Sequence, residues 1–232
     1  MSLNKTVSVI MSVYNAETTV AKSIESLIGQ TYENLEILLV DDSSTDKTLS
    51  ICEEYENNFK NIHLFRNKNN LGLTKNLNFL INKSSGEYLA RQDSDDISEP
   101  SRIEKQINFI EKYNLDGCTT RAKIIQTGSI IPRKSLYLPK RFVINFKNPF
   151  IHGSLVVKKT VAESIGNYNE KFYYSQDYKL MYDLVTGGYK LKIMKECLYH
   201  LNMNENISIN KKTQQQYYAR CVKKNIEPEL II

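Results

Sequence analysis

The sequence predicts an α/β protein in which helices flank a mostly parallel central sheet. Three observations lead to this fold class. Short apolar runs typical of buried strands alternate with stretches of helical periodicity through residues 1–115. Polar clusters directly follow three of these runs. The remainder of the chain is less regular, which predicts a smaller irregular region beside the sheet.

The composition of the 232-residue chain is that of an ordinary globular protein, with 41% hydrophobic and 25% charged residues. A chain of this length can bury the core of one large domain. The composition excludes a largely disordered, collagen-like or coiled-coil protein. No apolar run approaches the ~18 residues of a membrane span, and the first residues do not predict a signal peptide.

The first two strand–helix units follow from local patterns. The run TVSVIMSV at 6–13 predicts a buried strand, and EILLV at 36–40 predicts a second one. Ser44 and Thr45 are predicted to cap the second helix. The apolar residues that predict the two helices are Val20, Ile24, Leu27 and Ile28, then Leu49, Cys52, Tyr55 and Phe59.

The next two units repeat the pattern. Strands are expected at 62–65 and 87–90, and a turn at 70–72 precedes the helix between them. Pro100 is predicted to open the last helix of this half. The apolar residues of the two helices are Leu73, Leu77, Leu80 and Ile81, then Ile103, Ile107 and Ile110.

The second half predicts fewer regular elements. Strands and loops are expected over 117–160, including a strand at 154–157. Ser175 is predicted to cap a helix that ends at Gly187 and Gly188. A last strand is expected at 191–201, and residues 211–232 are polar and basic before an apolar end.

Right-handed crossovers bring the carboxyl ends of parallel strands to one edge of the sheet, where ligands bind in open α/β proteins. The clusters Tyr14–Glu17, Asp41–Asp42 and Asp93–Asp96 are therefore expected to converge. The three carboxylates of Asp93–Asp96 suit Mg²⁺ or Mn²⁺, although a solvated turn remains open. Asp42 suits a ring N–H of a base, unless it belongs to a capped turn.

The charge distribution is uneven. The chain has 31 basic and 26 acidic residues, but Gly117–Ala162 contains no acidic residue. This pattern indicates a phosphate-bearing ligand, an anionic membrane surface, nucleic acid or simply a solvated basic face. The nine bases of the segment are Arg121, Lys123, Arg133, Lys134, Lys140, Arg141, Lys147, Lys158 and Lys159. The four widely spaced cysteines predict reduced thiols in the cytosol.

The sequence resembles the family 2 inverting glycosyltransferases, which have the Rossmann-like GT-A fold of the nucleotide-diphospho-sugar transferases. Five motifs in order carry the resemblance, and they cover residues 5–115 densely and 152–208 loosely. The motifs are VSVIMSVYNAE (Val7–Glu17), QTYENLEILLVDDSSTD (Gln30–Asp46), NLGLTKNLN (Asn70–Asn78), SGEYLARQDSDD (Ser85–Asp96) and EPSRIEKQINFI (Glu99–Ile110).

The resemblance implies a role for each matching residue. It places Asp42 on uracil N3–H and Tyr14 against the base. Asp93 and Asp95 match the DxD motif at ribose and the metal-bound diphosphate, with Asp96 as a rival metal ligand. The other implied nucleotide-binding residues are Ser12, Val13, Glu17, Lys75 and Ser94.

In the second half, the resemblance implies that Asp177 is the general base. Gln176 stands where the family's acidic pair usually has glutamate, so contacts to the donor or acceptor are in doubt there. His152 matches a loop on the acceptor or phosphate side, and a packing histidine is an equal alternative. His200 falls where relatives carry a basic residue near the nucleotide.

The resemblance implies a domain with a nucleotide-sugar half at 1–115, an acceptor half at 116–210 and a tail at 211–232. The expected activity is metal-dependent, inverting transfer from a UDP-sugar to a hydroxyl of a glycan or lipid-linked acceptor, in the synthesis of surface polysaccharide or glycoconjugate. A cytoplasmic location is expected, and peripheral membrane contact and a homodimer are left open. The alternative is a catalytically silent nucleotide-sugar-binding or scaffold protein of the same fold.

Other classes of protein fit the sequence less well. A nucleotidyltransferase is disfavoured because SVYNAETT lacks a Gly-rich phosphate loop, and an NAD enzyme because GxGxxG is absent. A nucleic-acid binder is not expected, because no recognised motif accompanies the basic segment.

Overall fold

The computed structural model describes residues 5–203 and 211–229, and it has the predicted α/β architecture of a mostly parallel sheet flanked by helices. Within these residues no helix is long and apolar enough to cross a membrane. The strands are β1 (Val7–Val13), β2 (Leu35–Asp41), β3 (Ile62–Arg66), β4 (Tyr88–Arg91), β5 (Ile97–Ser98), β6 (Gly117–Ile124), β7 (Ile130–Ile131), β8 (Val156–Lys158) and β9 (Leu191–Leu201).

Helices cover both faces of this sheet. They are α1 (Val20–Ile28), α2 (Thr48–Asn58), α3 (Leu73–Lys83), α4 (Arg102–Lys112), α5 (Lys140–Val143), α6 (Lys159–Ser164), α7 (Gln176–Thr186) and α8 (Lys212–Lys224). Two short 3-10 helices lie at Lys134–Leu136 and His152–Ser154. The second of these includes Ser154, the first residue of the strand predicted at 154–157, and β8 begins two residues later.

The four predicted strand–helix units are confirmed. Strands β3, β2, β1 and β4 lie side by side in that order, and all three pairings are parallel. Their carboxyl ends therefore share one edge, where Val13 lies opposite Asp41. On the other side of β1, Ile10 lies opposite Arg91 at the end of β4.

The second half of the chain extends the same sheet in mixed directions. Strand β8 runs antiparallel to β4, and β6 runs antiparallel to β8. Strand β9 then runs parallel to β6, and the short strands β5 and β7 pair antiparallel with β9 and β6. The strand predicted at 191–201 is confirmed with both of its bounds.

Two apolar cores form because successive side chains of a strand face opposite sides of the sheet. Val9 and Met11 of β1 belong to the core beneath α1, α2 and α4. Ile10 belongs to the core beneath α3, α6, α7 and α8. Full burial of such a side chain stabilises the fold by about 1.5–3 kcal/mol. Tyr218 and Val222 bring α8 into this second core.

The predicted side-chain helix caps form at neither place. Helix α2 begins at Thr48, whose N–H donates to the carboxylate of Asp46. The Ser44 and Thr45 side chains instead contact the loop after β1. Ser175 does precede α7, but it has φ 53° and its side chain does not cap the helix. Its hydroxyl donates to the carbonyl of Gln215 in α8.

Glu36 joins the start of β2 to the turn before β4. Its carboxylate accepts hydrogen bonds from the Ser8 hydroxyl, the Ser85 N–H and hydroxyl, and the Gly86 N–H. Burial of the carboxylate opposes ionisation, but these hydrogen bonds outweigh it and lower the pKa of Glu36. The ionised form therefore stabilises the folded state above the unfolded-state pKa. This stabilisation is lost as the pH falls toward the lower folded-state pKa.

We predict that Glu36→Gln lowers the free energy of unfolding by about 1–3 kcal/mol at neutral pH, because an amide cannot accept all of these hydrogen bonds. Denaturant unfolding of both proteins measures the loss, which should shrink below about pH 4. Glu33→Gln, at an exposed neighbour, is the matched control. Equal stability of Glu36→Gln and the unchanged protein at pH 7 contradicts the prediction.

Candidate active site

The loops after β1 and β2 are held together at the carboxyl edge of the sheet. The N–H of Asn15 donates to the Ser44 hydroxyl, and Asn15 Oδ1 accepts from the Thr45 N–H at 2.8 Å. Glu17 Oε2 accepts from the Lys47 N–H at 3.0 Å. These contacts fix one wall of a surface from which the Tyr14 ring projects, 50% exposed.

The predicted nucleotide residues of β1 differ in accessibility. Val13 is fully buried in the core, so its side chain faces away from any ligand. The Ser12 hydroxyl is partly buried and accepts a hydrogen bond from Asn76 at 3.0 Å. Lys75, one residue earlier on α3, is exposed. Among the predicted nucleotide-binding side chains, Tyr14, Glu17 and Lys75 are the exposed ones.

Asp42 is buried and organises the loop before α3. Its Oδ1 accepts from the Asn67 amide and the Leu71 N–H, both at 2.8 Å, and its Oδ2 accepts from the Gly72 N–H at 2.9 Å. Gly72 has φ 86°, a conformation that favours glycine. A carboxylate has about four acceptor positions, so three internal hydrogen bonds leave room for one more donor.

The acidic run after β4 divides into three different environments. Asp93 pairs with the fully buried guanidinium of Arg91 at 2.5 Å. Asp95 and its neighbour Ser94 are partly exposed. Asp96 is buried, and its Oδ1 accepts from the Asn202 N–H at 2.7 Å.

Burial and crowding both shift the titration of Asp95 and Asp96. Burial and the nearby charge of Asp93 raise the pKa of Asp95 to about 6. Burial, with the charges of Asp93 and Asp95, raises the pKa of Asp96 to about 8. The ionised forms of Asp95 and Asp96 are therefore costly without a positive partner.

In the part of the chain that the structure describes, no group of three His, Cys, Asp or Glu side chains is arranged to hold a metal ion. Asp95 and Asp96 nevertheless fit one chemically. Asp96 Oδ2 is buried and forms no hydrogen bond within the described residues. Mg²⁺ is typically held by one or two carboxylates together with substrate phosphates, so a complete cage of protein ligands is not required.

A second cluster lies where residues 148–177 meet the sheet. His152 Nε2 is 2.7 Å from the Tyr168 hydroxyl. Burial lowers the pKa of His152 to about 4, and the charge of Arg91 acts in the same direction, against Asp177 and Asp93. His152 is therefore neutral at pH 7. It also lies close enough to both Asp93 and Asp177 for their charges to reach it.

Asp177 occupies the first turn of α7 and is partly exposed. Its Oδ2 accepts a hydrogen bond from the Asn148 amide at 2.9 Å, which orients the carboxylate. Gln176 precedes it and is also partly exposed. The structure thus brings Asp177 and His152 to the side of the acidic run.

His200 lies elsewhere on β9. Its Nε2 pairs with Glu99 at 2.5 Å, whereas the preceding Tyr199 accepts a hydrogen bond from the Asp93 N–H. Successive residues of a strand face opposite sides, so the side of β9 that carries Tyr199 faces the acidic run. The role of His200 at a nucleotide stays a prediction.

Several residues that build this site were not predicted from the sequence: Arg91, Asn148, Tyr168 and Tyr199. One signal was available, because YLAR ends an otherwise apolar buried strand with a base two residues before Asp93. The others are contacts between distant segments. No local pattern predicts that the Tyr199 hydroxyl reaches the Asp93 backbone, 106 residues earlier.

Solved structures share this architecture. The chain aligns with TarS 1–349 of S. aureus in complex with UDP-GlcNAc at a TM-score of 0.78 and 19% identity, covering 97% of the chain and 68% of TarS 1–349. It aligns with the mannosyltransferase PcManGT of Pyrobaculum calidifontis in complex with GDP-Man and Mn²⁺ at a TM-score of 0.75 and 16% identity, covering 97% and 66%. The fold is therefore the GT-A fold of glycosyltransferases.

Sequence comparison gives the family. Residues 8–166 match the model of glycosyl transferase family 2. An uncharacterized glycosyltransferase of Haemophilus influenzae is 34% identical over 238 residues, covering 95% of the chain and 73% of that protein. The minor teichoic acid biosynthesis protein GgaB of Bacillus subtilis is 28% identical over 214 residues, covering 88% of the chain and 24% of GgaB. The chain belongs to glycosyl transferase family 2 and is a transferase enzyme, which confirms the resemblance.

Gly153 is the point where the two clusters meet. A Cβ at this position would clash with the Tyr199 hydroxyl and lie 2.8 Å from Asp93 Oδ2. We predict that Gly153→Ala displaces these side chains and lowers the free energy of unfolding by about 1–3 kcal/mol.

Thermal or denaturant unfolding measures the effect of Gly153→Ala. Gly29→Ala is the control, because its added Cβ meets nothing closer than 3.4 Å. The described packing at Gly153 is incorrect if the two variants are equally stable.

Proposed function

We propose that the chain transfers a sugar from a UDP-sugar to a hydroxyl of a glycan or lipid-linked glycan, with inversion at the anomeric carbon. The observation that carries the proposal is the convergence of two sets of carboxylates. Asp93 Oδ2 lies against Gly153, the residue next to His152, and the charges of Asp93 and of Asp177 in α7 both act on the His152 ring. A donor diphosphate and an acceptor hydroxyl require acidic groups with different tasks at one place.

In this proposal, the sugar-nucleotide donor binds the wall formed by the loops after β1 and β2. Tyr14 packs against the base, and the remaining acceptor position of Asp42 takes uracil N3–H. The exposed side chains of Glu17 and Lys75 are assigned to the same nucleotide. Ser12, which is partly buried and accepts a hydrogen bond from Asn76, is assigned to it as well. The S. aureus protein TarS, of the same fold, has been solved with UDP and with UDP-GlcNAc, which supports a UDP-sugar.

We assign the metal to Asp95 and Asp96, with Asp93 and Ser94 at the nucleotide. Their crowding and burial fit Mn²⁺ or Mg²⁺, and the PcManGT complex contains Mn²⁺. When bound, such an ion neutralises the charge that the leaving diphosphate acquires. Asp93 is already paired with Arg91, so its share in metal binding is smaller than that of its neighbours.

The acceptor half depends on Asp177. Its carboxylate, oriented by Asn148, accepts the proton of the acceptor hydroxyl. The hydroxyl oxygen attacks the anomeric carbon while the bond from that carbon to the diphosphate oxygen breaks. The nucleoside diphosphate leaves with the bonding electrons. A single displacement of this kind inverts the anomeric centre.

The neighbours of Asp177 serve the acceptor. His152 is neutral and held by Tyr168, so it contributes a hydrogen bond rather than a charge. Gln176 supplies an amide where an acidic residue would repel phosphate. The name of GgaB supports an acceptor in polysaccharide synthesis, such as a teichoic acid. All four cysteines are free, which supports the predicted cytoplasmic location.

We predict that UDP stabilises the chain only together with Mn²⁺ or Mg²⁺. A ligand at 100 times its dissociation constant adds ~2.7 kcal/mol, which is a Tm shift of roughly 5–10 °C for a chain of this size. Asp95→Asn should remove most of the shift, whereas Asp183→Asn, which affects only an ion pair within α7, should retain it. If GDP raises the Tm and UDP does not, the proposed role of Asp42 at uracil is refuted.

We predict that Asp177→Asn lowers the transfer rate about 10²–10⁴-fold, because the acceptor proton loses its base. UDP release from a UDP-sugar in the presence of glycan and lipid-linked acceptors measures the rate. The Tm shift with UDP and Mn²⁺ should be unchanged, which separates loss of the base from loss of donor binding. Unchanged turnover in Asp177→Asn excludes it as the base, and UDP binding without turnover in the unchanged protein indicates a silent scaffold.

A further inference from the structure

The segment between β7 and the 3-10 helix at His152–Ser154 carries a group of exposed apolar side chains. Tyr137, Leu138, Phe142 and Phe146 are 74%, 48%, 62% and 59% exposed and fall within ten residues of chain. Phe142 and Phe146 contact each other with ring centroids 5.1 Å apart. We call residues 133–147 the aromatic–basic surface. Clustered apolar exposure of this kind marks an interaction site more often than isolated residues do.

The exposed rings are held in place by a fixed backbone. Lys140 Nζ donates to the carbonyls of Ser135, Leu136 and Leu138, each at 2.8 Å. On the inner side, the Tyr178 hydroxyl of α7 donates to the Ile144 carbonyl at 2.6 Å. Val143 and Ile144, which lie between Phe142 and Phe146 in the sequence, are buried. The segment therefore anchors its inner side to the domain and presents its rings outward.

Bases alternate with the exposed rings. Arg133, Lys134, Arg141 and Lys147 are all exposed. None of them forms an ion pair with an acidic side chain in residues 5–203 and 211–229. The surrounding stretch Gly117–Ala162 has no acidic residue. The surface is therefore both apolar and strongly positive.

We propose that the aromatic–basic surface docks on an anionic phospholipid bilayer. Aromatic rings enter the boundary between headgroups and acyl chains, and neighbouring Lys and Arg side chains are attracted to anionic headgroups. A symmetric dimer through this surface would place the four bases of each copy against those of the other, which is repulsive. Stacking on a neutral glycan accounts for the rings but not for the bases.

The docking would also bring the membrane close to the acceptor side of the site, an inference that rests on the proposed function. Residue 147 is followed by Asn148, which orients Asp177. A bilayer against residues 133–147 therefore lies beside the acceptor side of the site. A lipid-linked acceptor would be presented there without leaving the membrane, whereas the water-soluble donor enters from the β1 and β2 loops.

Sedimentation with lipid vesicles tests the docking directly and needs no donor, metal or acceptor. We expect binding to vesicles of mixed phosphatidylglycerol and phosphatidylcholine, and at least about tenfold weaker binding to phosphatidylcholine alone. Phe142→Ser with Phe146→Ser should weaken the binding about tenfold. Lys134→Gln, Arg141→Gln and Lys147→Gln together should abolish the preference for phosphatidylglycerol, and added salt should weaken it in the unchanged protein.

A matched triple variant separates placement from net charge. Lys22, Lys60 and Lys68 are exposed on the other half of the chain, and their replacement by Gln removes the same charge. We expect this control to bind vesicles as the unchanged protein does, and every variant to retain its Tm. The proposal fails if the unchanged protein does not bind phosphatidylglycerol vesicles, or if the control triple variant loses as much binding as the Lys134, Arg141 and Lys147 variant. It also fails if the Phe variant dissociates a dimer without weakening vesicle binding. If the unchanged protein binds the vesicles but transfers no sugar, the proposed function is refuted and the membrane docking is not.

Discussion

The site depends on one buried charge, the guanidinium of Arg91 at the end of β4. A buried ion costs several kcal/mol unless it is paired, and Arg91 is paired with Asp93 at the point where the strand ends. The same guanidinium reaches the Ile10 carbonyl of β1 at 3.4 Å. Asp93 in turn lies over Gly153 and beside Tyr199. Through this ion pair, the parallel strands meet the second half of the chain in a fixed geometry.

This ion pair also gives Asp93 different surroundings from the carboxylates that follow it. Asp93 has the Arg91 guanidinium beside it, whereas burial and the charge of Asp93 raise the pKa of both Asp95 and Asp96. Those two side chains are consequently the ones that gain most from a cation. Asp177 stands apart on α7, oriented by a neutral amide, so it is available to an acceptor. One sheet edge thus supports two different uses of a carboxylate.

Local patterns in the sequence predicted the parallel half because each buried strand there is continuous and each helix is amphipathic. They did not predict the strand directions of the second half, since β8 pairs with β4, and β6 with β8, across long separations in the sequence. The acidic clusters and Asp177 were found from residue type and resemblance. Arg91 and Tyr199 were not, because a buried arginine and a distant tyrosine acquire meaning only through the contacts of the folded chain.

The anomeric configuration of the first product distinguishes one displacement at this site from two, because a single displacement permits only inversion. Proton NMR can follow the sugar released by slow hydrolysis of an α-linked UDP-sugar, with water in place of the acceptor. We expect that the β-anomer appears first and then equilibrates. Initial release of the α-anomer would contradict this expectation, since retention requires a second displacement that this arrangement of Asp177 does not provide.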